Sequence, residues 1–569
     1  MHKFTLKKLY FYFIIIAMIF IFFIPYFRSG IVGSSDQPYH LTRINTLAYA
    51  IKNGVFPVKV HSMQCYGYGY GTGFFYSDAL LYFPASLIAF FNFSLETSYK
   101  IFAMIVILCT LLSFIYSAYI FCNNKYIALA LAVIYLFNPI LFSAYYTHMQ
   151  MGTFTGAIFM PLAISGMIKF LATDKPRQCP FLLIIGFIGL FYTHTLSAVM
   201  TFIVCFLLFI LNLKNISLNK IIYLAISAFI VLAISCSYWL PMLEQMREQI
   251  LKYTRPWTWE ELQVKPLAYL LNNSSGIGIV IFLLLIFAVI ASALLIHKGN
   301  ITKICIEGVQ LLSISLLFFI LPSIYIFWHI FNFKFKVFQF PERLYLPGIV
   351  CLLLAISILI SQLNDNSRSN ALLPPLSYRL ITITLYVLAV CSIFLAYTSH
   401  EISDCNYVEI AEINGFSGVG AGEEWLPVET NVEDLTTPET AYADDGTAIL
   451  GEKINDYTKF IFTTSSSYDY VDVPYINYRG YVAYTEQGIQ CTISKNPDTS
   501  MVRVYIPKEA KTYDANCTIT VYYEGTKYQT ISYFTSVISL VLFSLILVFN
   551  MNAKKNLDYY HMMLGSKAP

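Results

Sequence analysis

The sequence predicts a polytopic α-helical membrane protein with an extracytoplasmic β-sandwich domain before its last helix. Of the 569 residues, 57% are hydrophobic and only 12% are charged, whereas an ordinary soluble chain carries about 25% charge. Long apolar runs recur along the chain, and one polar stretch near its C-terminal end interrupts them. The formal net charge of +3 is too small to indicate a protein that binds nucleic acid.

The membrane helices are predicted from apolar runs, because a span needs about 20 predominantly apolar residues. Twelve runs meet or approach this length, at 9–27, 98–121, 126–143, 153–172, 180–194, 195–213, 219–240, 276–297, 305–328, 345–363, 378–397 and 531–551. The pair covering 180–213 is short and could also be divided differently. No small-residue cleavage site follows the first run, so we expect a retained membrane helix there and not a signal peptide.

The distribution of lysine and arginine predicts the orientation of the chain. Basic residues precede the first run, follow the last one and occupy alternate short loops, and the positive-inside rule places such segments in the cytoplasm. Both termini are therefore predicted to be cytoplasmic, and the long polar segments 28–97, 241–275, 329–344 and 398–530 face outward. No phosphate-binding loop occurs in the cytoplasmic segments, which argues against an ATP-driven pump.

Residues 398–530 form the predicted β-sandwich, since "SMVRVYIP" and "CTITVYYEGT" alternate with the period of two that is typical of strands. This domain separates a transmembrane domain, 1–397, from the last helix and cytoplasmic tail, 531–569. Cys491 and Cys517 lie in two of the predicted strands. Either a disulfide or two free buried thiols fits them, because cysteine pairing cannot be deduced from spacing.

The first outward loop begins with three polar residues at helical spacing. Asp36, His40 and Arg43 fall at i, i+4 and i+7, which places them on one helix face. A carboxylate at the membrane surface can accept a proton from a sugar hydroxyl, and an arginine can grip a phosphate in a fork. The alternative is that Asp36 only complements the helix dipole. The histidine and arginine on the same face favour a binding or catalytic site.

A glycine–tyrosine run, "YGYGYGTGFFY", follows in the same loop. Glycine lets backbone approach a ligand closely, and tyrosine offers a ring face for sugar stacking together with a hydroxyl, so Tyr68 and Tyr70 are candidate substrate-binding residues. An ordinary interfacial aromatic belt would also explain these tyrosines. Asp78 comes next, where the chain re-enters the membrane. A carboxylate at that depth is costly unless it is paired or functional.

Four further residues on the outward face are candidates for substrate binding. They are His194 in "FYTHTLSA", Glu244 in "WLPMLEQMREQ", and Lys336 and Arg343 in "FKFKVFQFPERLYLP". Outward basic residues oppose the positive-inside bias. Contact with anionic lipid headgroups explains Lys336 adequately, whereas Arg343, between a proline and a span, is the better candidate for a specific phosphate. A histidine at a helix turn such as His194 is more often a hydrogen-bonded structural residue.

The order of several short motifs resembles a known family. The motifs are "SSDQPYHLTRI", "NGVFPVKV", "YGYGTGFFYSDALLYFP", "HTLSA", "YWLPMLE", "FQFPERL", "GEEWLP", "NYRGYVAYTEQG" and "VYYEGT". In this order they resemble bacterial membrane proteins described as 6-pyruvoyl-tetrahydropterin synthase-related. Those proteins are relatives of the YfhO-like family in the GT-C glycosyltransferase superfamily. The resemblance covers nearly the whole chain, and nothing in these residues suggests pterin chemistry.

The resemblance implies a GT-C-like transmembrane domain in the bacterial cytoplasmic membrane. Such enzymes transfer a sugar from a polyprenyl-phosphate carrier to an acceptor outside the membrane, here a cell-envelope glycan, a teichoic-acid-like polymer or a lipid. Asp36 would be the catalytic base or the group that orients the acceptor, and Arg43 and Arg343 would hold the carrier phosphate. Direct attack by the acceptor should invert the anomeric centre. No cofactor is certain, and a divalent metal ion is left open, since Asp36 with the distant Asp78 supplies few ligands.

Two departures from the resemblance keep other functions open. Relatives often carry an arginine and a glutamate near the outer end of the third span, where this chain has His148 and Thr153. Glu342 also stands where an aromatic residue is common. One alternative is a flippase or transporter of a lipid-linked glycan. It would need ionisable residues deep inside spans, whereas the only clear mid-span acid in the sequence is Glu307, close to the cytoplasmic end. The other is a non-catalytic cell-envelope assembly protein.

Overall fold

The structure is a computed structural model of the chain. It describes residues 2–173, 179–254, 264–297, 299, 301–335, 340–363, 375–400, 407–408, 418–420, 423–509 and 516–563.

Within those ranges the chain forms nineteen α-helices, followed or interrupted by ten strands. The helices are α1 His2–Phe23, α2 Gln37–Lys52, α3 Thr72–Phe75, α4 Tyr82–Phe91, α5 Leu95–Cys122, α6 Lys125–Leu136, α7 Pro139–Tyr146, α8 Met151–Gly156, α9 Met160–Ala172, α10 Phe181–Phe191, α11 Thr195–Leu211, α12 Leu218–Ile234, α13 Cys236–Glu248, α14 Gly278–His297, α15 Lys303–Ile320, α16 Tyr325–Phe335, α17 Tyr345–Leu363, α18 Pro375–Ser399 and α19 Lys527–Met563. The strands are β1 Ile31–Val32, β2 Tyr407–Val408, β3 Thr440–Ala443, β4 Ala448–Ile454, β5 Lys459–Ser465, β6 Tyr470–Ile476, β7 Tyr481–Thr485, β8 Gln490–Lys495, β9 Met501–Tyr505 and β10 Asn516–Tyr523.

The protein is a multi-pass membrane protein. Eight helices of the described chain are long and apolar enough to cross a membrane, or up to ten if two bent helix pairs each count as one span. The prediction of twelve spans is therefore not confirmed. The runs predicted at 180–194 and 195–213 become α10 and α11, of 11 and 17 residues. At 1.5 Å per residue these helices reach only about 16 and 26 Å, less than a hydrocarbon core of about 30 Å.

Two predicted spans are bent, one of them where the sequence supplies a cap and a proline. Helices α6 and α7 meet at 52°, and Asn138 there caps the amide of Leu141 while Pro139 begins the new helix. Helices α12 and α13 meet at 72°. A cap followed by a proline favours a fresh helix start over continuation. Hydropathy stays high across such breaks. A prediction from hydropathy alone therefore treats each bent helix pair as a single span.

Burial distinguishes a central helix from the peripheral ones. Helix α17 packs against α5, α14 and α15, and 94% of its most apolar 18-residue window is buried, compared with 17% for α19. A helix that is apolar all round and enclosed by others forms a core, whereas an apolar helix with open flanks faces lipid. The helical domain is therefore built around α17, with α19 at its margin.

The C-terminal strands form a closed barrel and not the predicted sandwich. The strand order is β10-β5-β4-β3-β6-β9-β8-β7, and β10 pairs with both β5 and β7, so the sheet closes on itself. Period-two alternation predicts strands with one buried face, but it is the same for a sandwich and a barrel. Cys491 and Cys517 are free buried thiols, on strands that β7 separates in the strand order.

The barrel rests on the loop 28–97 and shares a core with it. Tyr68, Tyr70 and Phe74 pack in one apolar cluster with barrel residues such as Phe460 and Ile519. The face of the helical domain that carries the barrel is called the barrel side below.

A glycine makes this close approach feasible. Gly67 has a φ of +89°, and a Cβ there would lie 2.7 Å from a ring carbon of Tyr457 in the barrel. Its carbonyl accepts a hydrogen bond of 3.0 Å from Lys453 Nζ. A side chain at this position would both strain the backbone and push the barrel away.

Candidate active site

Helix α2 carries the predicted catalytic face and begins directly after Asp36. Pro38 lies in its first turn, where a missing N–H costs nothing. The side chain of Asp36 caps no amide of α2, while its own N–H donates to the carbonyl of His148 over 3.1 Å. The predicted alternative, that Asp36 only complements the helix dipole, requires no capping contact and stays a prediction.

Arg43 and Asp78 form a buried ion pair behind that face. Arg43 Nη2 and Nε lie 2.5 and 3.1 Å from Asp78 Oδ1, and His61 Nε2 lies 2.9 Å from Asp78 Oδ2. Arg43 also donates to the carbonyls of Tyr76 and Ser77, at 3.2 and 3.3 Å. Both side chains of the ion pair are almost fully buried, at 0% and 3% exposure. We call Arg43, His61 and Asp78 the buried triad.

The triad is electrostatically satisfied. Burial raises the pKa of Asp78, but Arg43 and His61 outweigh burial and bring that pKa to about 2. A carboxylate held this firmly ionised is a poor proton acceptor. Because the Arg43 guanidinium meets these internal acceptors, it presents no open fork toward a ligand in this structure.

His40 lies between Arg43 of the triad and Tyr76. Its Nδ1 lies 3.2 Å from Arg43 Nη1, and since a guanidinium can only donate, Nδ1 must accept. Burial lowers the pKa of His40 well below its ordinary value, and the charge of Arg43 lowers it further. The imidazole is therefore neutral, and its ring stacks 5.8 Å from that of Tyr76.

Tyr76 packs between His40 and His194. The Tyr76 hydroxyl accepts a 2.9 Å hydrogen bond from the N–H of Gly152, and its ring centroid lies 6.0 Å from that of His194. A Cβ at Gly152 would sit 2.2 Å from the Tyr76 hydroxyl. The absence of a side chain at the start of α8 is thus what lets these rings meet. His194 Nδ1 is hydrogen-bonded to Ser197 Oγ at 2.8 Å.

Asp36, Arg343 and Glu424 lie near enough to influence one another's charge, and we call them the mouth cluster. Burial raises the pKa of Asp36, opposed by a hydrogen bond from Ser35 and by the charge of Arg343. Burial also raises the pKa of Glu424, and Asp36 raises it further. The Nε of Arg343 is buried and lacks a hydrogen-bond partner in the described part of the protein. In contrast to the triad, this cluster leaves hydrogen-bonding capacity unused.

Three other predicted site residues contact the C-terminal part of the chain, and Tyr70 does so beside Glu424. The hydroxyls of Tyr68 and Tyr70 accept hydrogen bonds of 3.2 Å from the amides of Thr437 and Trp425. Their rings lie in the core shared with the barrel and not on an accessible surface. Glu244 accepts a 2.7 Å hydrogen bond from Thr526 at the start of α19. Lys336 lies outside the described residues.

Sequence reasoning missed two residues that the fold brings in. His61 completes the triad, but nothing in "VKVHS" distinguishes it from any loop histidine. Glu424 belongs to "GEEWLP", a motif that contributed to the family resemblance without being assigned a role. Trp425, the next residue, stacks on Phe75 at 4.9 Å and 9°. This stacking holds the segment against the loop and places Glu424 near Asp36.

A metal site is not built by these residues. In the part of the chain that the structure describes, there is no group of three or more His, Cys, Asp and Glu side chains arranged to hold a metal ion. Asp36 and Glu424 supply two carboxylates, whereas Mg²⁺ and Ca²⁺ take six or more oxygen ligands. We therefore derive no step through a metal ion.

Comparison with known proteins finds distant likeness in fold. The chain is similar to the cryo-EM structure of the arabinofuranosyltransferase AftD from Mycobacteria, with a TM-score of 0.44 and 11% identity, over 69% of this chain and 27% of that one. A mutant structure of AftD gives a TM-score of 0.41 and 13% identity, over 69% and 28%. No family model matches the sequence, and no curated protein matches it. The predicted kinship with YfhO-like proteins therefore stays a prediction.

Proposed function

We propose that this protein is a membrane glycosyltransferase of the GT-C type with Asp36 as its catalytic base. The observation that carries the proposal is the mouth cluster, a half-buried carboxylate with a raised pKa beside an arginine whose Nε is unsatisfied. A base with a pKa raised toward the working pH accepts a proton more readily in the transition state. The order of motifs in the sequence independently supports this superfamily.

In the proposed reaction Asp36 and Arg343 have different roles. An acceptor hydroxyl gives its proton to an Asp36 carboxylate oxygen while the hydroxyl oxygen attacks the anomeric carbon of the donor sugar. The bond from that carbon to the phosphate oxygen breaks, and the polyprenyl phosphate leaves with the electron pair. Arg343 donates hydrogen bonds to the phosphate, where negative charge increases in the transition state. One displacement at carbon inverts the anomeric centre.

Arg43 and Asp78 have a positioning role in this proposal. The sequence suggested that Arg43 grips the carrier phosphate and that Asp78 binds substrate. In the structure Asp78 contacts Arg43 and His61, and Arg43 also contacts His40 and the carbonyls of Tyr76 and Ser77. Arg43 also lies 4.4 Å below the Tyr76 ring. We assign the triad to holding α2, His40 and Tyr76 in register beneath Asp36. The carrier phosphate is then assigned to Arg343 alone.

The proposed partners follow from the resemblance to GT-C enzymes. The donor is a polyprenyl-phosphate-linked sugar, and the acceptor is a cell-envelope glycan, a teichoic-acid-like polymer or a lipid. We propose that the barrel side faces outward and both termini face the cytoplasm, as the positive-inside rule predicts. Cysteine introduced at the exposed turn residue Asp445 should then react with an impermeant thiol reagent in intact cells. Protection there would reverse the orientation.

Substitution of Asp36 tests the catalytic assignment. Asp36→Asn keeps the size of the side chain but removes its charge and its proton acceptance. We expect transfer to fall by about 10²–10⁴-fold while the protein remains folded. The assay follows a labelled sugar from a panel of polyprenyl-phosphate sugars to cell-envelope glycan, with purified protein in nanodiscs. Asp445→Asn, in an exposed turn of the barrel, is the matched control and should transfer normally.

Two outcomes would contradict the proposal at different levels. Near-normal transfer by Asp36→Asn would place the base elsewhere while leaving the enzyme class intact. If the wild-type protein transfers none of the donor sugars, the glycosyltransferase assignment itself is overturned and the non-catalytic assembly protein is favoured.

A further inference from the structure

A cleft lies between the barrel, the loop after α2 and the start of α19. Its volume is about 270 Å³, near the lower end of the roughly 300–1,000 Å³ typical of small-molecule sites. Six of the residues that line it matter for its chemistry: Lys59, Tyr457, Tyr481, Tyr522, Gln529 and Tyr533. A space of this size suits a head group or a single substituted sugar ring and not a polymer.

This cleft is separate from the mouth cluster. Asp36 stands at the beginning of α2, whereas Gly54 and Pro57, which line the cleft, follow its end. A helix of 16 residues is about 24 Å long. A ligand of 270 Å³ cannot contact both places at once, so the cleft needs an explanation of its own.

The walls of the cleft are tyrosines with unused hydroxyls. The hydroxyls of Tyr457, Tyr522 and Tyr533 have no hydrogen-bond partner among the described residues, while Tyr523 and Tyr475 are bonded within the protein. Tyrosine combines a ring face for the C–H side of a sugar with a hydroxyl for its hydroxyl groups. Gln529 adds an amide, although its Nε2 donates 2.7 Å to Tyr523. The walls are thus suited to a polyhydroxylated ring.

Lys59 makes the floor of the cleft cationic. Its side chain is buried and donates from Nζ to the carbonyls of Gly73 and Ser237, at 3.3 and 3.1 Å. Within the described ranges it forms no ion pair with a carboxylate, and buried lysines are rare unless paired. Lys459 adds a second positive charge to the lining, against one exposed acid, Glu524. The negative charge of Asp78 acts on Lys59 but is already held by Arg43 and His61, so an anionic group in the cleft would supply a counter-charge of its own.

The cleft lies at the level of the membrane surface. Gln529 and Tyr533 belong to the first two turns of the candidate span Lys527–Asn550. Phe56, which also lines the cleft, is 72% exposed, as expected for an aromatic side chain in the interfacial belt. A ligand there can be reached both from solution and from the outer edge of the lipid.

We propose that this cleft binds a phosphorylated sugar or polyol, with the ring against the tyrosines and the phosphate toward Lys59. Two sources share this chemistry, a soluble sugar phosphate and the head group of a phosphoglycolipid. Binding at this cleft does not depend on sugar transfer at Asp36. The binding proposal can therefore be right or wrong whatever the outcome for the proposed function.

Binding measurements on the full-length protein in phosphatidylcholine nanodiscs test the soluble source. The probes are glucose, galactose, mannose and N-acetylglucosamine 1-phosphates, each compared with its free sugar by saturation-transfer NMR and calorimetry. We expect at least one phosphate to bind, and to bind at least tenfold more tightly than its free sugar. Native mass spectrometry tests the lipid source, by measuring whether the protein retains phosphatidylinositol in preference to phosphatidylcholine. Binding through either source supports the site, and which probes bind identifies the source.

Variants distinguish this cleft from non-specific binding. Lys59→Met and Tyr522→Ala should each weaken binding at least tenfold. Lys52→Met, an exposed lysine at the end of α2, and Tyr442→Ala, an exposed barrel tyrosine, are the matched controls and should bind normally. If Lys59→Met does not fold, binding by Tyr522→Ala still tests the proposal, because Tyr522 is only half-buried.

Three results would overturn the proposal. They are failure of every phosphate and of phosphatidylinositol to bind the wild-type protein, equal loss of binding in the control variants, and unchanged binding in Tyr522→Ala. Equal affinity for free and phosphorylated sugar would likewise remove the role of Lys59.

Discussion

Asp36 and Asp78 belong to the same loop and are both shielded from water, yet their surroundings are opposite. Asp78 is held by Arg43 and His61 at 2.5–3.1 Å, and its pKa is brought to about 2. Asp36 caps no helix amide, and its pKa is raised by burial. A paired carboxylate stabilises a fold, whereas an under-satisfied one retains its reactivity toward a proton. The loop thus contains one aspartate that stabilises the fold and one that can still accept a proton.

The largest expected effect on stability is that of Asp78→Asn. Removing the charge leaves the buried guanidinium of Arg43 without a counter-charge, which should cost about 3–5 kcal/mol of the free energy of unfolding. The measurement is denaturation in mixed micelles. Asp36→Asn is the comparison and should change stability by less than about 1 kcal/mol, the scale of a helix-dipole contact. Equal losses in both variants would remove the distinction between the two aspartates.

The pH dependence of stability sharpens the same comparison. The pKa of Asp78 is depressed in the folded state from an ordinary value of 3.8 to about 2. Its contribution is therefore fully present above pH 3.8 and is lost as the pH falls toward 2. The Asp78→Asn variant should lack this particular acid-dependent loss.

Arg343→Lys should have the next largest effect, on rate and not on folding. Lysine keeps the charge but cannot present a planar fork to phosphate, and loss of one well-placed donor to developing negative charge costs about 10²-fold in rate. Single-turnover sugar transfer measures this step. Full activity in Arg343→Lys would reduce Arg343 to a contact with lipid headgroups.

Arg343→Gln separates charge from geometry at the same position. The positive charge of Arg343 lowers the pKa of Asp36, so its removal should raise that pKa and move the acid limb of the pH–rate profile to higher pH. Arg343→Lys keeps the charge and should leave the limb in place. An unchanged limb in Arg343→Gln would mean that Asp36 is not the group that titrates.

Tyr70→Phe should have the smallest effect. The change removes a hydroxyl that accepts a hydrogen bond from the Trp425 amide over 3.2 Å, at a cost of about 0.5–1.5 kcal/mol in stability. The KM for the donor sugar should stay unchanged, because the ring lies in the core shared with the barrel. A raised KM with unchanged stability would instead restore the sugar-binding role that the sequence suggested.

Several features of the site could be predicted because they depend on neighbours in sequence. Pro38 in the first turn of α2, and Asp36 just before it, follow from local helix-start preferences. The apolar runs, the β-rich segment and most helix positions follow in the same way from periodicity. The bend before Pro139 was also readable from its Asn–Pro pair, but hydropathy averaged over it.

What the sequence by itself determined is the class of the molecule, its membrane helices and strands, and the helix end that presents Asp36, since each depends on composition, spacing or adjacent residues. Only the tertiary structure decided that the strands close into a barrel, that Arg43 meets Asp78 and His61, and that Glu424 approaches Asp36. The physical reason is that the reactivity of a buried charge depends on which opposite charges and donors lie within about 4–6 Å. Those partners come from distant parts of the chain.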